Sequence, residues 1–96
     1  MFEIQRTSQF IKWVNSLRDD RAVARIDTRI FRMQSGHFGD VQPVGEGISE
    51  LRIHYGAGYR IYFNQTNQTI VLLLCGGDKS TQFKDILMAK ALAKEI

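Results

Sequence analysis

Residues 48–64 read ISELRIHYGAGYRIYFN. The stretch alternates on both sides of its glycines. Leu51, Ile53 and Tyr55 fall on one face of the first half, with Glu50, Arg52 and His54 on the other. Tyr59, Ile61 and Phe63 then share a face, opposite Arg60, Tyr62 and Asn64. A period of two marks strands, and Gly56-Ala57-Gly58 between them marks a turn, so the segment is a predicted β-hairpin. With Tyr55 set opposite Tyr59, Ile53 faces Ile61, Leu51 faces Phe63, His54 faces Arg60, Arg52 faces Tyr62 and Glu50 faces Asn64.

Working outward, 65–68 is a second turn. Ile70 to Cys75 is an unbroken apolar run, which suits a strand covered on both faces. Gly76-Gly77-Asp78-Lys79 leaves that strand, and Ser80 or Thr81 is placed to cap a last helix in which Phe83, Ile86, Ala89, Ala93 and Ile96 repeat helically. Upstream, residues 37–47 carry three glycines and the only proline, and read as a mobile loop. Before it lie two helical segments. Thr7 or Ser8 caps the first, with Phe10, Val14 and Leu17 on its inner side. Asp19-Asp20 caps the second, where Val23, Ile26, Ile30 and Met33 form the inner stripe and Gly36 is the stop. Phe2, Ile4 and Arg6 begin an extended segment. The predicted order is β-α-α-β-β-β-α: one α+β domain over 1–96, with a small twisted antiparallel sheet, two N-terminal helices and a C-terminal helix.

Composition narrows the function classes. With 44% hydrophobic and 24% charged residues the chain has a globular balance, not that of a disordered tail. The single cysteine, Cys75, rules out an internal disulfide framework and reads as inert core in a reducing compartment. MFEIQRTSQF lacks the apolar run of a signal peptide, and no segment is long enough to span a bilayer, so a cytoplasmic protein without membrane attachment is expected. Two histidines and one cysteine make no zinc pattern, and no metal or other cofactor is expected. The net charge of +3 suits nucleic acid or an acidic partner protein.

Three clusters could carry chemistry. Arg52, Arg60, His54, Tyr62 and Glu50 share the polar face of the hairpin. Any solvated hairpin face alternates in this way, but two guanidinium groups on a rigid sheet also suit a phosphate, and a histidine beside them can move protons near neutral pH. In GGDKSTQ, Lys79 sits ahead of a helix N-terminus, a plausible anion corner; the glycines permit a sharp turn, and Asp78 or Ser80 could equally be simple caps. Gln82 and Lys84 continue that surface. Finally, Arg18, Arg21, Arg25, Arg29 and Arg32 lie within roughly a quarter of one helix circumference. None has an acid three or four positions away, so an RNA backbone or an acidic partner would relieve their repulsion.

Taken together, GISELRIHYGAGYRIYF, IVLLLCGGDKSTQFKDI and the alanine-rich final helix resemble the addiction-module killer proteins, the HigB-type, phage Gp49-like branch of the RelE/ParE superfamily. The resemblance is close over the second half. It implies the toxin of a type II toxin–antitoxin system, partnered by a helix-turn-helix antitoxin. RelE- and HigB-like members cleave mRNA on the ribosome without a metal: the ribose 2′-hydroxyl attacks the adjacent phosphate. ParE-like members instead inhibit DNA gyrase by binding, which is the alternative here. By the same resemblance Arg60, in GYR, matches the arginine that contacts the scissile phosphate. Arg52 matches the basic position on the preceding strand, His54 lies beside it, and Lys79 matches the basic residue near the end of the last strand. These four are the expected catalytic set. Arg21, Arg25, Arg29, Tyr62, Asp78, Gln82 and Lys84 are the expected RNA contacts. The C-terminal tyrosine of many RelE-like enzymes is missing, since the last aromatic is Phe83. That leaves His54, Tyr62 and Asp78 open as the general acid.

Overall fold

The computed structural model describes all 96 residues. After β1 (Glu3–Arg6), Thr7 caps α1 (Ser8–Ser16): its Oγ1 accepts from the Phe10 N–H at 3.0 Å and donates to the Leu74 carbonyl at 2.5 Å. Asp19 caps α2 (Asp20–Gln34), accepting from the Arg21 and Ala22 N–H groups. Gly36, at φ +83°, ends that helix. There follow β2 (Val41–Gly45), β3 (Ile48–Ile53), β4 (Tyr59–Thr66), β5 (Ile70–Gly77), a 3-10 turn (Lys79–Thr81) and α3 (Gln82–Lys94). The strands form one sheet in the order β1-β5-β4-β3-β2. No helix is long and apolar enough to cross a membrane.

Helices cover both faces of the sheet. On one face Phe10 of α1 and Ile26, Ile30 and Met33 of α2 pack on Leu51, Ile53, Ile61, Phe63, Val71 and Leu73. On the other, Ala89 of α3 packs with Ile48, Tyr62, Leu74 and Cys75. Burial of both faces explains why 70–75 carries no polar alternation. Cys75 is buried, and burial pushes its thiol up to about 12, so it is inert at neutral pH.

The α+β architecture is the expected one, but several details differ from the sequence reading. The expected loop 37–47 contains an edge strand, β2, which pairs antiparallel with β3. Pro43 and a bulge between Pro43 and Gly45 hid it; the proline is tolerated because β2 is an edge strand, where both features also blunt pairing with other chains. Glu46 and Gly47, both at positive φ, close the β2–β3 hairpin. In addition, β1 pairs parallel to β5, so the sheet is mixed. The β3–β4 register is shifted by two residues from the expected one: Ile53 pairs Tyr59, Leu51 pairs Ile61, Arg52 pairs Arg60 and Glu50 pairs Tyr62. The turn spans 54–58, closed by Tyr55 N–H to Ile53 O at 2.9 Å and Gly58 N–H to Tyr55 O at 3.0 Å. An even shift leaves every side chain on its expected face. In α3, Ala89 is buried, but Phe83 is 68% exposed and Asp85 takes an inner position instead, while Ile96 lies beyond the helix end and is 75% exposed.

Candidate active site

Glu50 is the centre of the site. It lies on the face that alternation marked as polar, but α3 covers that face and Glu50 is 0% exposed. A buried carboxylate is costly unless fully partnered. Here Oε1 accepts from Arg52 Nε at 2.9 Å, and Oε2 accepts from the Tyr62 hydroxyl at 2.9 Å and Gln82 Nε2 at 2.8 Å. Arg60 Nε stands 3.5 Å from the same oxygen. Burial pushes the Glu50 carboxyl up, but the hydrogen bonds from Arg52, Gln82 and Tyr62, with the Arg60 charge, outweigh it, and the net shift is downward. Glu50 is an anion, and it aligns two guanidinium groups.

Those groups open onto a groove of about 400 Å³ between the 54–58 turn and the corner after β5, lined by Arg52, His54, Arg60 and Lys79. The Lys79 N–H donates to the Ala57 carbonyl at 3.3 Å, which ties the corner to the turn. Arg60 donates from Nη1 to the Gly58 carbonyl at 2.9 Å, and its buried Nε has no hydrogen-bond partner. Gly58 is at φ +77°, and a Cβ there would meet Lys79 Cβ at 3.3 Å and Arg60 Nη1 at 3.5 Å. The close approach of these cations therefore depends on a bare backbone.

A second groove, about 600 Å³, runs along α2 and is lined by Arg21, Arg25, Arg29, Arg32 and Thr28. Ile53 and His54 line both grooves, so the two meet there. No acidic residue lines either. The Arg25 guanidinium sits 4.6 Å above the Tyr55 ring. His54 Nε2 is 2.5 Å from Asp40 Oδ2. Asp40 is held below the usual carboxylate range, first by that hydrogen bond, with burial opposing and the charges of His54, Arg52 and Arg29 assisting.

Arg52, Arg60, Lys79 and His54 are thus brought to one groove, though His54 lies beyond the end of β3 and not opposite Arg60. Four expected RNA contacts are elsewhere engaged. Tyr62 is fully buried beneath α3, and burial followed by its bond to Glu50 pushes its hydroxyl well up; it can neither meet RNA nor donate its proton. Asp78 Oδ1 accepts from the Ser80 N–H at 2.8 Å and Ser80 Oγ at 2.5 Å, so this carboxylate already occupies the expected anion corner. Gln82 points inward to Glu50. Arg29 donates to the Arg52 carbonyl at 2.7 Å and the Phe38 carbonyl at 3.0 Å, bracing the chain while it also lines the α2 groove. Lys84 is exposed on α3 and lines neither groove. The sequence reading missed Asp40, hidden in a supposed loop, and the burial of Glu50. For Glu50 the available signal was an acid between basic neighbours on paired strands.

No family model matches the chain. It is 52% identical over 94 residues to an uncharacterized protein of Haemophilus influenzae, an alignment spanning 98% of this chain and 95% of that one. The chain belongs to that protein's family. Among solved structures, a chain of the toxin–antitoxin complex RelBE2 from Mycobacterium tuberculosis superposes with a TM-score of 0.66 at 17% identity, covering 81% of this chain and 98% of that one. The fold is therefore RelE-like. In this fold the groove along α2 and the groove between the β3–β4 turn and the corner after β5 adjoin at Ile53 and His54.

Proposed function

We propose that this protein is the toxin of a type II toxin–antitoxin pair and that it cleaves mRNA on the ribosome, in the cytoplasm, by attack of a ribose 2′-hydroxyl on the adjacent phosphate. The observation that carries the reading is the single groove onto which Arg52, Arg60 and Lys79 converge, with two of these cations aligned by a buried carboxylate. Preorganised donors at a phosphate stabilise the charge that develops in a pentacoordinate transition state. Arg52 and Arg60 serve that charge, Lys79 holds the RNA backbone, and His54 transfers a proton. Arg21 and Arg25 extend the contact along α2. The ELR, GYR and GGDKSTQ segments favour a HigB-type, phage Gp49-like toxin, and the RelBE2 neighbour, a toxin–antitoxin complex, supports a cognate antitoxin, of helix-turn-helix type, as partner.

Primer extension on a translated message tests this. Wild-type protein is expected to cut within codons, and Arg60→Ala to lose on the order of 10²–10³-fold in rate, the effect of removing one preorganised donor. Cleavage by Arg60→Ala at the wild-type rate would overturn the assignment. Inhibition of gyrase supercoiling with no mRNA cleavage would replace it with a ParE-like mode.

A further inference from the structure

Asp40 and His54 are 14 residues apart in sequence and meet side chain to side chain. Both are fixed from behind. The Asp40 carbonyl accepts from the Arg52 N–H at 3.0 Å, and the next residue, Val41, pairs with Leu51. Arg29 holds the Phe38 carbonyl with one Nη and the Arg52 carbonyl with the other, so one guanidinium braces both the segment carrying the carboxylate and the strand end carrying the imidazole. Gly39 completes the turn at φ +75°, where a Cβ would lie 2.7 Å from Arg29 Nη2.

The imidazole is 74% exposed, and its second nitrogen, Nδ1, has no protein partner. The charges facing it are Arg21, Arg25, Arg29 and Arg32 from α2, Arg52, Arg60 and Lys79 around the other groove, and a single anion, Asp40, in contact. A carboxylate on one imidazole nitrogen fixes the ring's orientation and stabilises its protonated form.

We propose that Asp40 is a positioning residue: by accepting the Nε2–H bond it turns the Nδ1–H of protonated His54 into the groove, as general acid for the RNA cleavage put forward above. The inference rests on that reading. In the step, the 2′-oxygen forms a bond to phosphorus and its proton passes to solvent. The P–O5′ bond breaks, its electron pair stays on O5′, and O5′ takes the proton from Nδ1. The products are a cyclic phosphate and a free 5′-hydroxyl, and solvent reprotonates the imidazole.

Single-turnover cleavage on ribosomes programmed with a synthetic message tests this. The ordinary scissile phosphodiester is compared with one carrying a 5′-bridging sulfur, for wild type, His54→Ala, Asp40→Ala and Asp40→Asn. On the oxygen substrate His54→Ala is expected to lose about 10²–10⁴-fold, the usual share of general acid–base catalysis. Asp40→Ala should lose at least about tenfold with unchanged half-saturation, and Asp40→Asn, which keeps an acceptor oxygen, should fall between it and wild type. A thiolate leaves without a proton, so on the sulfur substrate all three variants should cleave within a few-fold of wild type. Asp40→Ala matching wild type on oxygen, or staying defective on sulfur, would overturn the positioning role alone. Wild type leaving both substrates whole would overturn the nuclease reading, and the acid with it.

Discussion

At Gly77 an added methyl carbon would lie 1.8 Å from Asp85 Oδ2 and 2.9 Å from Thr81 Oγ1. At Gly76 it would lie 2.3 Å from the Trp13 ring. Neither glycine has a left-handed backbone; both close β5, and the requirement is for space. From sequence the pair reads as a turn, because Trp13 is remote in the chain and the folding back of the next helix, which sets Asp85 against Gly77, is not visible in the residue pattern. The Asp85 carboxylate cannot swing away cheaply, since Thr81 Oγ1 donates to it at 2.5 Å and it is nearly buried. Gly77→Ala is therefore expected to destabilise by at least the ~1–3 kcal/mol of ordinary overpacking. Urea denaturation should show a lower midpoint with an unchanged slope. An unshifted midpoint would show that the corner yields and that the close approach carries no stability.

Helix α2 combines a buried stripe with an arginine flank, and both were legible, because a period of 3.6 separates two faces of one helix without knowledge of its surroundings. What sits across from the flank was not. Arg29 looks like Arg21 and Arg25 in sequence, yet only Arg29 reaches two backbone carbonyls, one on β3 and one in the segment leading to β2. That segment was itself unreadable as a strand approach, since Pro43 and the glycines mimic a loop. The hairpin face shows the same limit in sharper form. Alternation tells which residues share a side, but not that α3, whose own apolar repeat is imperfect, covers that side and buries Glu50. The arginines should accordingly separate in experiment. Arg29→Ala is expected to cost about 1.5–3 kcal/mol, as for loss of charge-assisted hydrogen bonds. The pair Arg21→Ala and Arg25→Ala should stay within about 1 kcal/mol of wild type, since only a surface cation–π contact is lost. That pair should instead lower the log–log salt slope of ribosome binding by about two units, one per lost phosphate contact. Thermal melts and binding titrations at several salt concentrations measure both; an Arg29→Ala protein as stable as wild type would sink the bracing role.

For the molecule as a whole, Glu50 links what the sheet separates. Through Tyr62 and Arg60 it joins β3 to β4, and through Gln82 it fastens the start of α3 to the hairpin that carries the site. A domain of this size has a few kcal/mol of stability to spare, so one such junction weighs on the global equilibrium. Arg52 and Arg60 keep 32% and 13% side-chain exposure, which lets solvent relieve part of the charge left behind if Glu50 is removed. Glu50→Ala is thus placed at the lower end of the range for breaking a buried pair, about 3 kcal/mol. The pH dependence follows from the sign of its shift. Its carboxyl is held below the ordinary 4.5 in the folded protein, so its contribution is complete above that value and is lost as pH falls through the folded one. Circular-dichroism melts between pH 3 and 7 should show wild type losing stability below about pH 4.5, the ordinary value for a Glu carboxyl. Glu50→Gln should start lower at neutral pH and fall less steeply, because it has no proton to gain. Asp40 shifts in the same direction and remains in both proteins, so the comparison isolates Glu50. Parallel curves for the two proteins would mean that the carboxylate charge at the centre of the site does not hold the layers together.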